Sequence, residues 1–420
     1  MKYNYLKNKY PRFIYRKYSY KITEGNLKIS FLFEIPPAIR FRPQIVIKNI
    51  NETRSDRVSF DNFVFHLGLM EMPSYWKATG APEIVIEAGY LNKDQIKWWK
   101  DLIIKGMGQF FYENRIDWRS PNFLKIINLQ RTVPCRFSGE QFSAKSKNRY
   151  LVPMGGGKDS IVTLEKLKTG GKETNCFVVN PTEATKKVLK VAGVKNPIII
   201  ERKIDPTLLE LNKKGYLNGH TPFTALLSFL SVFCAVLFDY KHIAFSNEKS
   251  ADEGNVMYLG KMINHQWAKS FEFERKFKNY CQKYLTPEVK YFSFLRKYSE
   301  LEIAKMFTRY PKYFPVFSSC NVAGKMGDRW CGGCPKCLFI YAVLYPYLEK
   351  KELLKIFDKD FFGNKKLLPV MKSLVGRGSH KPFECVGTYK ENKRAFELSL
   401  EKAKKSGKLP HLLQKFNVFK

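Results

Sequence analysis

Apolar and polar positions follow a regular alternation in the middle of the chain. From about residue 146, short apolar runs precede segments whose apolar residues recur at helical spacing. This order is typical of a parallel α/β sheet. The apolar runs predict five strands, at 150–154, 175–179, 197–200, 242–246 and 290–295. The segments beside them predict five helices, at 160–168, 182–192, 206–213, 223–238 and 268–284. We therefore expect a doubly wound sheet whose ligands bind beyond the carboxyl ends of its strands.

The first 145 residues have a less regular pattern, which predicts a separate α+β domain. Strand-like runs rich in Ile, Phe and Val occupy 26–35 and 40–50. Residues 95–112 have helical periodicity, with Trp98 and Trp99 on the apolar side. For this pair we favour packing over the stacking of a base. The predicted organisation has three parts, namely an N-terminal domain that is a candidate for substrate binding at 1–145, an α/β domain at 146–315 and a helical region at 316–420.

Three glycines separate the first predicted strand of the α/β domain from its helix. The residues of this turn and of the helix start are Gly155, Gly156, Gly157, Lys158, Asp159 and Ser160. Glycine permits positive φ angles, and the start of a helix presents free N–H groups and a partial positive charge. The pattern therefore indicates an oligophosphate site, with a glycine-rich turn that binds nothing as the alternative. The spacing differs from a Walker A loop, because Lys158 is followed by Asp159.

Two further residues occupy positions where an α/β sheet binds ligands. Glu248 follows the predicted strand at 242–246. It is a candidate for binding Mg²⁺ or a ribose hydroxyl, and a capping or surface carboxylate is an equal alternative. His220 precedes the predicted helix at 223–238, where the helix dipole favours the neutral imidazole. That position suits acid–base catalysis or a phosphate contact, with a purely structural cap as the alternative.

Four of the nine cysteines are close together in the sequence, which indicates a metal site. They are Cys320, Cys331, Cys334 and Cys337. Spacings of two residues allow successive thiolates to reach one tetrahedral ion, and a fourth thiolate from an earlier loop completes the site. Four protein ligands leave no open position, so the site is predicted to be structural. Zinc is favoured over an iron–sulfur cluster, because the spacing is not that of a ferredoxin.

Composition narrows the choice of partners and compartment. Lysine and arginine number 73 against 38 acidic residues, which gives a net charge of +35. The basic residues are scattered, so we interpret them as a solvated surface suited to anionic small molecules and expect no nucleic-acid partner. The clustered cysteines and the absence of an apolar run in residues 1–7 predict a cytoplasmic protein. Residues 221–238 are uncharged, but their polar stripe at helical spacing favours a buried helix over a membrane span.

Several segments, taken in order, resemble one family of enzymes. The segments are 65–71, 152–160, 217–228, 246–250, 269–273, 291–307, 330–339 and 381–388. They are similar to the bacterial ATP-dependent UDP-N-acetylmuramoyl-L-alanyl-L-glutamate epimerases. The glycine turn also resembles the Ser-Gly-Gly-x-Asp-Ser loop of ATP pyrophosphatases, with Gly155 in place of the usual serine. The cysteines resemble the zinc site of 7-cyano-7-deazaguanine synthases.

This resemblance implies a fold of the adenine-nucleotide alpha-hydrolase (PP-loop) type and an epimerase that cleaves ATP to AMP and diphosphate. It implies ATP, Mg²⁺ and a structural Zn²⁺, with a UDP-sugar dipeptide as substrate and an unknown oligomeric state. The glycine turn, Lys158 and Ser160 would bind diphosphate, and Asp159 a metal or a ribose. His220 and Cys385 are the candidates for proton transfer. The alternatives are adenylation of a deazaguanine-type carboxylate or a tRNA base, and a nucleic-acid-binding protein with a vestigial loop.

Overall fold

The computed structural model describes residues 2–50, 60–129, 147–320, 322, 329–407 and 409–419. Thirteen strands lie within these residues: β1 Arg12–Thr23, β2 Asn26–Ile35, β3 Ile39–Phe41, β4 Gln44–Ile47, β5 Glu83–Ile86, β6 Lys125–Asn128, β7 Tyr150–Pro153, β8 Thr174–Val179, β9 Ile198–Lys203, β10 His242–Phe245, β11 Val256–Tyr258, β12 Lys261–Ile263 and β13 Lys290–Ser293.

Fifteen α-helices lie within the same residues: α1 Lys2–Lys9, α2 Asp61–Trp76, α3 Lys93–Gly106, α4 Gly108–Glu113, α5 Lys158–Thr169, α6 Glu183–Val191, α7 Pro206–Lys213, α8 Phe223–Leu237, α9 Phe271–Tyr284, α10 Glu300–Phe307, α11 Pro335–Leu344, α12 Lys350–Phe357, α13 Leu368–Leu374, α14 Tyr389–Lys405 and α15 His411–Phe419.

Eleven of the strands form one sheet, and its central part is parallel. Strands β13, β10, β7, β8 and β9 lie side by side in this order, all parallel. They correspond to the five strands predicted from residue 146 onward, so the mixed α/β class with a parallel core is confirmed. The strand pair β11–β12 forms a separate two-stranded sheet.

The N-terminal strands continue the same sheet. Strand β4 pairs with β9 in antiparallel fashion, with Ile45 opposite Arg202. Strands β2, β1, β5 and β6 then extend the sheet to its far edge. The segment predicted as one strand at 40–50 forms β3 and β4, which are separated around Pro43. Both residues of the predicted domain boundary, 145 and 146, lie outside the described residues.

Helices cover both faces of the parallel part, because successive residues of a buried strand point to opposite sides. In β7, Leu151 belongs to one hydrophobic core and the next residue, Val152, to another. Helix α8 contributes Phe229 to the first core, and α5 contributes Leu164 to the second. The sheet therefore holds the start of α5 at its carboxyl edge, between two packed layers.

Helix α8 is buried, as its sequence predicted. Ser228 donates to the carbonyl of Thr224 and lies 3.0 Å from the hydroxyl of Tyr291, and Ser231 donates to the carbonyl of Ser228, so the buried part of the polar stripe is hydrogen-bonded inside the protein. Across the described parts of the chain, we find no helix with the length and apolar character needed to span a membrane. The Trp98–Trp99 pair also packs as predicted, since Trp99 is buried and donates its indole N–H to Tyr280 at 2.9 Å.

Candidate active site

A cleft of about 650 Å³ lies at the carboxyl ends of β7, β8 and β10. This is the edge at which α/β sheets bind their ligands. The loops after these strands form part of its wall, and the C-terminal region forms the rest. Its polar lining carries both carboxylates and amines, and includes Asp159, Ser160, Asn247, Glu248, Lys269, Lys336 and Cys385. The structure therefore brings together residues from distant parts of the sequence.

The glycine turn fits a site that needs a close approach to the backbone. Gly156 has φ +85°, and a Cβ added to it would lie 3.1 Å from the hydroxyl oxygen of Thr185. A Cβ added to Gly155 would have no atom within 4 Å. Gly157 is the N-cap residue of α5 and has no side chain to bond the free N–H groups there. The hydroxyl of Ser160 donates to the carbonyl of Gly157 at 3.0 Å. The turn and the start of α5 are therefore suited to an anion.

Lys158 is buried and does not line the cleft. Its Nζ contacts Asp159 and lies 2.5 Å from a carboxylate oxygen of Glu300, which is also buried. Burial lowers the pKa of Lys158, but the two carboxylates outweigh it and hold that pKa above its ordinary value. Burial likewise raises the pKa of Asp159, and Lys158 outweighs it in the opposite direction, so Asp159 stays ionised. In this position Lys158 is paired with Asp159 and Glu300 and lies behind the cleft lining. Its contact with diphosphate stays a prediction.

Glu248 and Lys269 are held next to each other by Arg296. The guanidinium of Arg296 donates to the carbonyl of Glu248 at 2.8 Å and to the carbonyl of Lys269 at 2.5 Å. The side chain of Glu248 is buried and lines the cleft, where it also accepts from Ser250 at 3.3 Å. Asp159 and Glu248 thus supply two carboxylates to one cleft, which is the kind of ligand that Mg²⁺ prefers.

Cys385 enters the cleft from the C-terminal region. Its Sγ lies 3.1 Å from Nζ of Lys269, and its carbonyl accepts a hydrogen bond from Lys336. Lys336 is the second residue of α11, and its backbone N–H donates to Glu384 at 3.1 Å. Two lysines therefore fix the position of Cys385, one at its side chain and one at its backbone.

His220 occupies a different place, outside the set of residues that line the cleft. Its ring centroid lies 4.5 Å from that of His265, and His265 Nδ1 is 2.5 Å from the side-chain oxygen of Gln109. Burial, His265 and Lys77 lower the pKa of His220 to about 3. Burial and Lys269 lower the pKa of His265 to about 4. Both imidazoles are consequently neutral in this structure at ordinary pH.

The four predicted metal ligands come together in one cluster. The sulfur atoms of Cys320, Cys331, Cys334 and Cys337 all lie within 4.8 Å of one another. Three of the separations are 3.8, 3.7 and 3.5 Å. A zinc ion with bonds of about 2.3 Å to four thiolates requires sulfur atoms about 3.8 Å apart. Cys337 also donates its backbone N–H to the sulfur of Cys334, 3.4 Å away. This donor set therefore fits a tetrahedral zinc ion.

Sequence reasoning located the glycine turn, Asp159, Glu248, Cys385 and the cysteine cluster, and the structure groups them around the cleft. It missed Lys269, Lys336, Glu300 and His265. The residue type alone does not mark a lysine of this chain as functional, since the chain has 73 basic residues. The one available hint was position, because Lys269 begins a family-like segment and Lys336 lies between two predicted metal ligands.

The fold and the cleft define an α/β protein with a polar cleft at the carboxyl edge of a parallel sheet, beside a four-cysteine cluster. Comparison with protein families identifies the particular family. The family described as the MurL N-terminal domain matches residues 5–294, and the MurL C-terminal domain matches residues 316–416. This chain belongs to the MurL family.

Three similar proteins carry the same name, UDP-N-acetyl-alpha-D-muramoyl-L-alanyl-L-glutamate epimerase. The protein of Salinispora tropica is 36% identical over 332 residues, which cover 77% of this chain and 70% of that protein. The protein of Micromonospora sp. is 35% identical, with coverages of 78% and 72%. The protein of Xanthomonas oryzae pv. oryzae is 31% identical, with coverages of 80% and 74%. The similarity therefore extends over most of each chain.

Proposed function

We propose that this chain inverts the terminal L-glutamate of UDP-N-acetylmuramoyl-L-alanyl-L-glutamate to D-glutamate and cleaves ATP to AMP and diphosphate in doing so. The reaction would be a step in the synthesis of peptidoglycan precursors. The observation that carries the proposal is the shared name of three relatives that align with 77–80% of this chain. The cleft supports the part played by ATP, because its glycine turn and helix start suit a phosphate chain.

Chemistry explains why ATP is needed. The Cα proton of a glutamate residue is hard to remove when the neighbouring carboxylate is negative, because the carbanion would form beside that charge. Adenylation cancels the charge and allows the carbonyl to accept electron density. Every tenfold gain in rate requires about 1.4 kcal/mol off the barrier. Diphosphate is the leaving group in that step, so the proposed site has to hold the β and γ phosphates together.

On this proposal, the residues of the cleft have different roles. The N–H groups of the glycine turn and Ser160 would bind the phosphates. Asp159 and Glu248 would hold Mg²⁺, which neutralises phosphate charge when bound. The buried Lys158 keeps Asp159 ionised and oriented. The residues present fit such a site, as both carboxylates line the same cleft.

Cys385 and His220 are proposed as the two proton-transfer groups. Cys385 lines the cleft directly. His220 lies beside His265, and the nearby cations Lys77 and Lys269 contribute to its low pKa. A substrate carboxylate beside these imidazoles would offset that repulsion and raise the pKa of His220 towards the range useful in catalysis.

The test is turnover of the purified protein with ATP, Mg²⁺ and UDP-N-acetylmuramoyl-L-alanyl-L-glutamate in deuterated water. We expect AMP and diphosphate in equal amounts, D-glutamate by chiral analysis after hydrolysis, and deuterium at Cα. L-Glutamate in free form and the UDP-sugar without the dipeptide serve as substrate controls. Release of ADP, or inversion without ATP, would show that the glycine turn has been misinterpreted. Turnover of ATP with no inversion would refute the epimerase.

A further inference from the structure

Lys269 and Cys385 make a contact that no sequence motif indicates. Nζ of Lys269 lies 3.1 Å from Sγ of Cys385, although the two residues are 116 positions apart. Lys269 ends a 3-10 turn, Trp267–Lys269, immediately before α9. Cys385 lies in the segment between α13 and α14. Both line the cleft, so the contact is placed where a substrate would bind.

Backbone hydrogen bonds fix both partners of this contact. The carbonyl of Lys269 accepts from Arg296 at 2.5 Å, and its N–H donates to the carbonyl of Gln266 at 2.7 Å. The carbonyl of Cys385 accepts from Nζ of Lys336. The backbones of both partners are therefore held in place by the fold.

Charged groups of both signs surround the Lys269–Cys385 contact, and the ammonium of Lys269 is at hydrogen-bonding distance from the sulfur. The cations are Lys269 and Lys336, and the carboxylates are Asp159, Glu248 and the neighbouring Glu384. An adjacent ammonium stabilises a thiolate. Burial lowers the pKa of Lys269, but Cys385 and Glu248 raise it further, so the ammonium form persists. The group at hydrogen-bonding distance from the Cys385 sulfur is therefore an ammonium.

The other described cysteines outside the metal cluster provide a contrast. Cys176, Cys234 and Cys281 are all buried. Burial raises the pKa of both Cys176 and Cys281 to about 12, which keeps them as thiols. Cys385 is half-buried and has an ammonium group at hydrogen-bonding distance. Among these four, Cys385 alone combines access to the cleft with a cationic partner.

We propose that Lys269 holds Cys385 as a thiolate, and that this thiolate takes the Cα proton of the activated glutamate. The inference rests on the proposed epimerase function. The C–H bond breaks, an S–H bond forms, and the electron pair passes into the adenylated carboxyl group. The opposite face then receives a proton from the second proton-transfer group. Lys269 acts through Cys385, so it is a positioning residue whose charge sets the ionisation of the sulfur.

The first experiment measures that ionisation without substrate. Mass spectrometry follows alkylation of Cys385 by iodoacetamide as a function of pH in the intact, metal-loaded protein. We expect reaction at neutral pH in the wild type, and a rise of at least about one pH unit in the midpoint for Lys269→Gln, since an adjacent cation lowers a thiol pKa by at least this much. Lys269→Arg should restore the low midpoint. Lys283→Gln, which alters an exposed pair with Asp94, is the matched control.

The second experiment measures the chemistry. In Lys269→Gln, the ratio of the inversion rate to the rate of ATP–diphosphate exchange should fall at least about 100-fold, the smallest effect typical of a lost general base. If Lys269→Gln leaves the pH midpoint of Cys385 alkylation unchanged, the proposal is overturned even if the wild type epimerises its substrate. Equal losses of exchange and inversion also overturn it, because Lys269 would then serve adenylation. If the wild type has a Cys385 thiolate that depends on Lys269 but inverts no substrate, the proposed function is refuted. The proton-transfer step is then refuted as well.

Discussion

The backbone N–H of Ser318 donates to the carbonyl of Gly156 at 3.1 Å. Two residues later the chain supplies Cys320, which belongs to the cysteine cluster and also lines the cleft. A Cβ on Gly157 would lie only 2.6 Å from the hydroxyl of Ser319. The glycine turn and the segment leading into the cysteine cluster are therefore packed as one unit, so the cluster supports a wall of the cleft.

Removal of the metal should consequently disturb both stability and nucleotide binding. We expect one zinc ion per chain by elemental analysis. Cys337→Ala should lower the free energy of unfolding by about 3 kcal/mol or more, since structural zinc sites contribute about 10 kcal/mol or more to folding. Calorimetry measures the loss, and Cys281→Ala is a control for replacing a buried cysteine outside the cluster. Iron with a visible chromophore would contradict the assignment of zinc.

The glycine turn offers a matched pair of substitutions. Gly156→Ala places a side chain on a residue with φ +85° and against Thr185, so we expect a loss of about 1–2 kcal/mol in stability and weaker ATP binding. Gly155→Ala adds a Cβ with no atom within 4 Å and should change little. Isothermal titration with ATP distinguishes the two variants. Equal affinities would show that the conformation of Gly156 is not required.

Lys158 tests the interpretation that a buried cation holds Asp159. Lys158→Met leaves the Glu300 and Asp159 carboxylates without their cation, and Glu300 is only 1% exposed. Loss of one partner from a buried pair destabilises a protein by about 3–5 kcal/mol. Lys283→Met breaks a surface pair and should change stability much less. Denaturant unfolding measures the stability of both variants. If Lys158→Met lowered stability as little as Lys283→Met, the contact of Lys158 with Glu300 would not be needed for stability.

Asp159 and Cys385 should affect different steps of the proposed reaction. Asp159→Asn removes a proposed Mg²⁺ ligand, so both ATP–diphosphate exchange and inversion should fall by at least about 100-fold. Cys385→Ala should reduce inversion by about 100-fold to 10,000-fold and affect exchange less. His220→Ala should resemble Cys385→Ala if His220 is the second proton-transfer group. Asp94→Asn, at an exposed ion pair, is the control for loss of a carboxylate.

The burial of His66 leads us to expect a loss of stability in acid. Its Nδ1 lies 2.7 Å from the carbonyl of Asn62 and its Nε2 is 2.8 Å from the hydroxyl of Tyr280. Burial lowers the pKa of His66 from 6.5 to about 4. The unfolded chain therefore binds more protons between these values, so this stability is present above pH 6.5 and disappears as the pH falls to about 4. The loss is about 3 kcal/mol at about 1.4 kcal/mol for each pKa unit.

Urea unfolding at pH 6.5 and 4.5 measures this effect. In His66→Gln, the difference in stability between the two pH values should become smaller than in the wild type. His411→Gln, at the first residue of α15, is the control. An unchanged difference in His66→Gln would assign the acid sensitivity to other groups.

Local sequence patterns determined a large part of this structure. The five parallel strands and the helices beside them follow from apolar runs and helical periodicity, because a buried strand or a helix face is defined by residues close in sequence. The glycine turn and the cysteine spacing were recognisable for the same reason. Strand β1 was missed, since its polar residues, such as Lys17 and Lys21, obscure the apolar face that packs in the core.

Long-range contacts were decided by the tertiary structure alone. The pairing of β4 with β9 continues the N-terminal strands into the parallel sheet, and no residue type along either strand announces it. Lys158 meets Glu300 across 142 positions, and Lys269 meets Cys385 across 116. In a chain with 73 basic residues, sequence cannot tell a solvated lysine from one placed against a buried carboxylate or a thiol. Packing makes that distinction, because it fixes which charges lose water and which groups they then face.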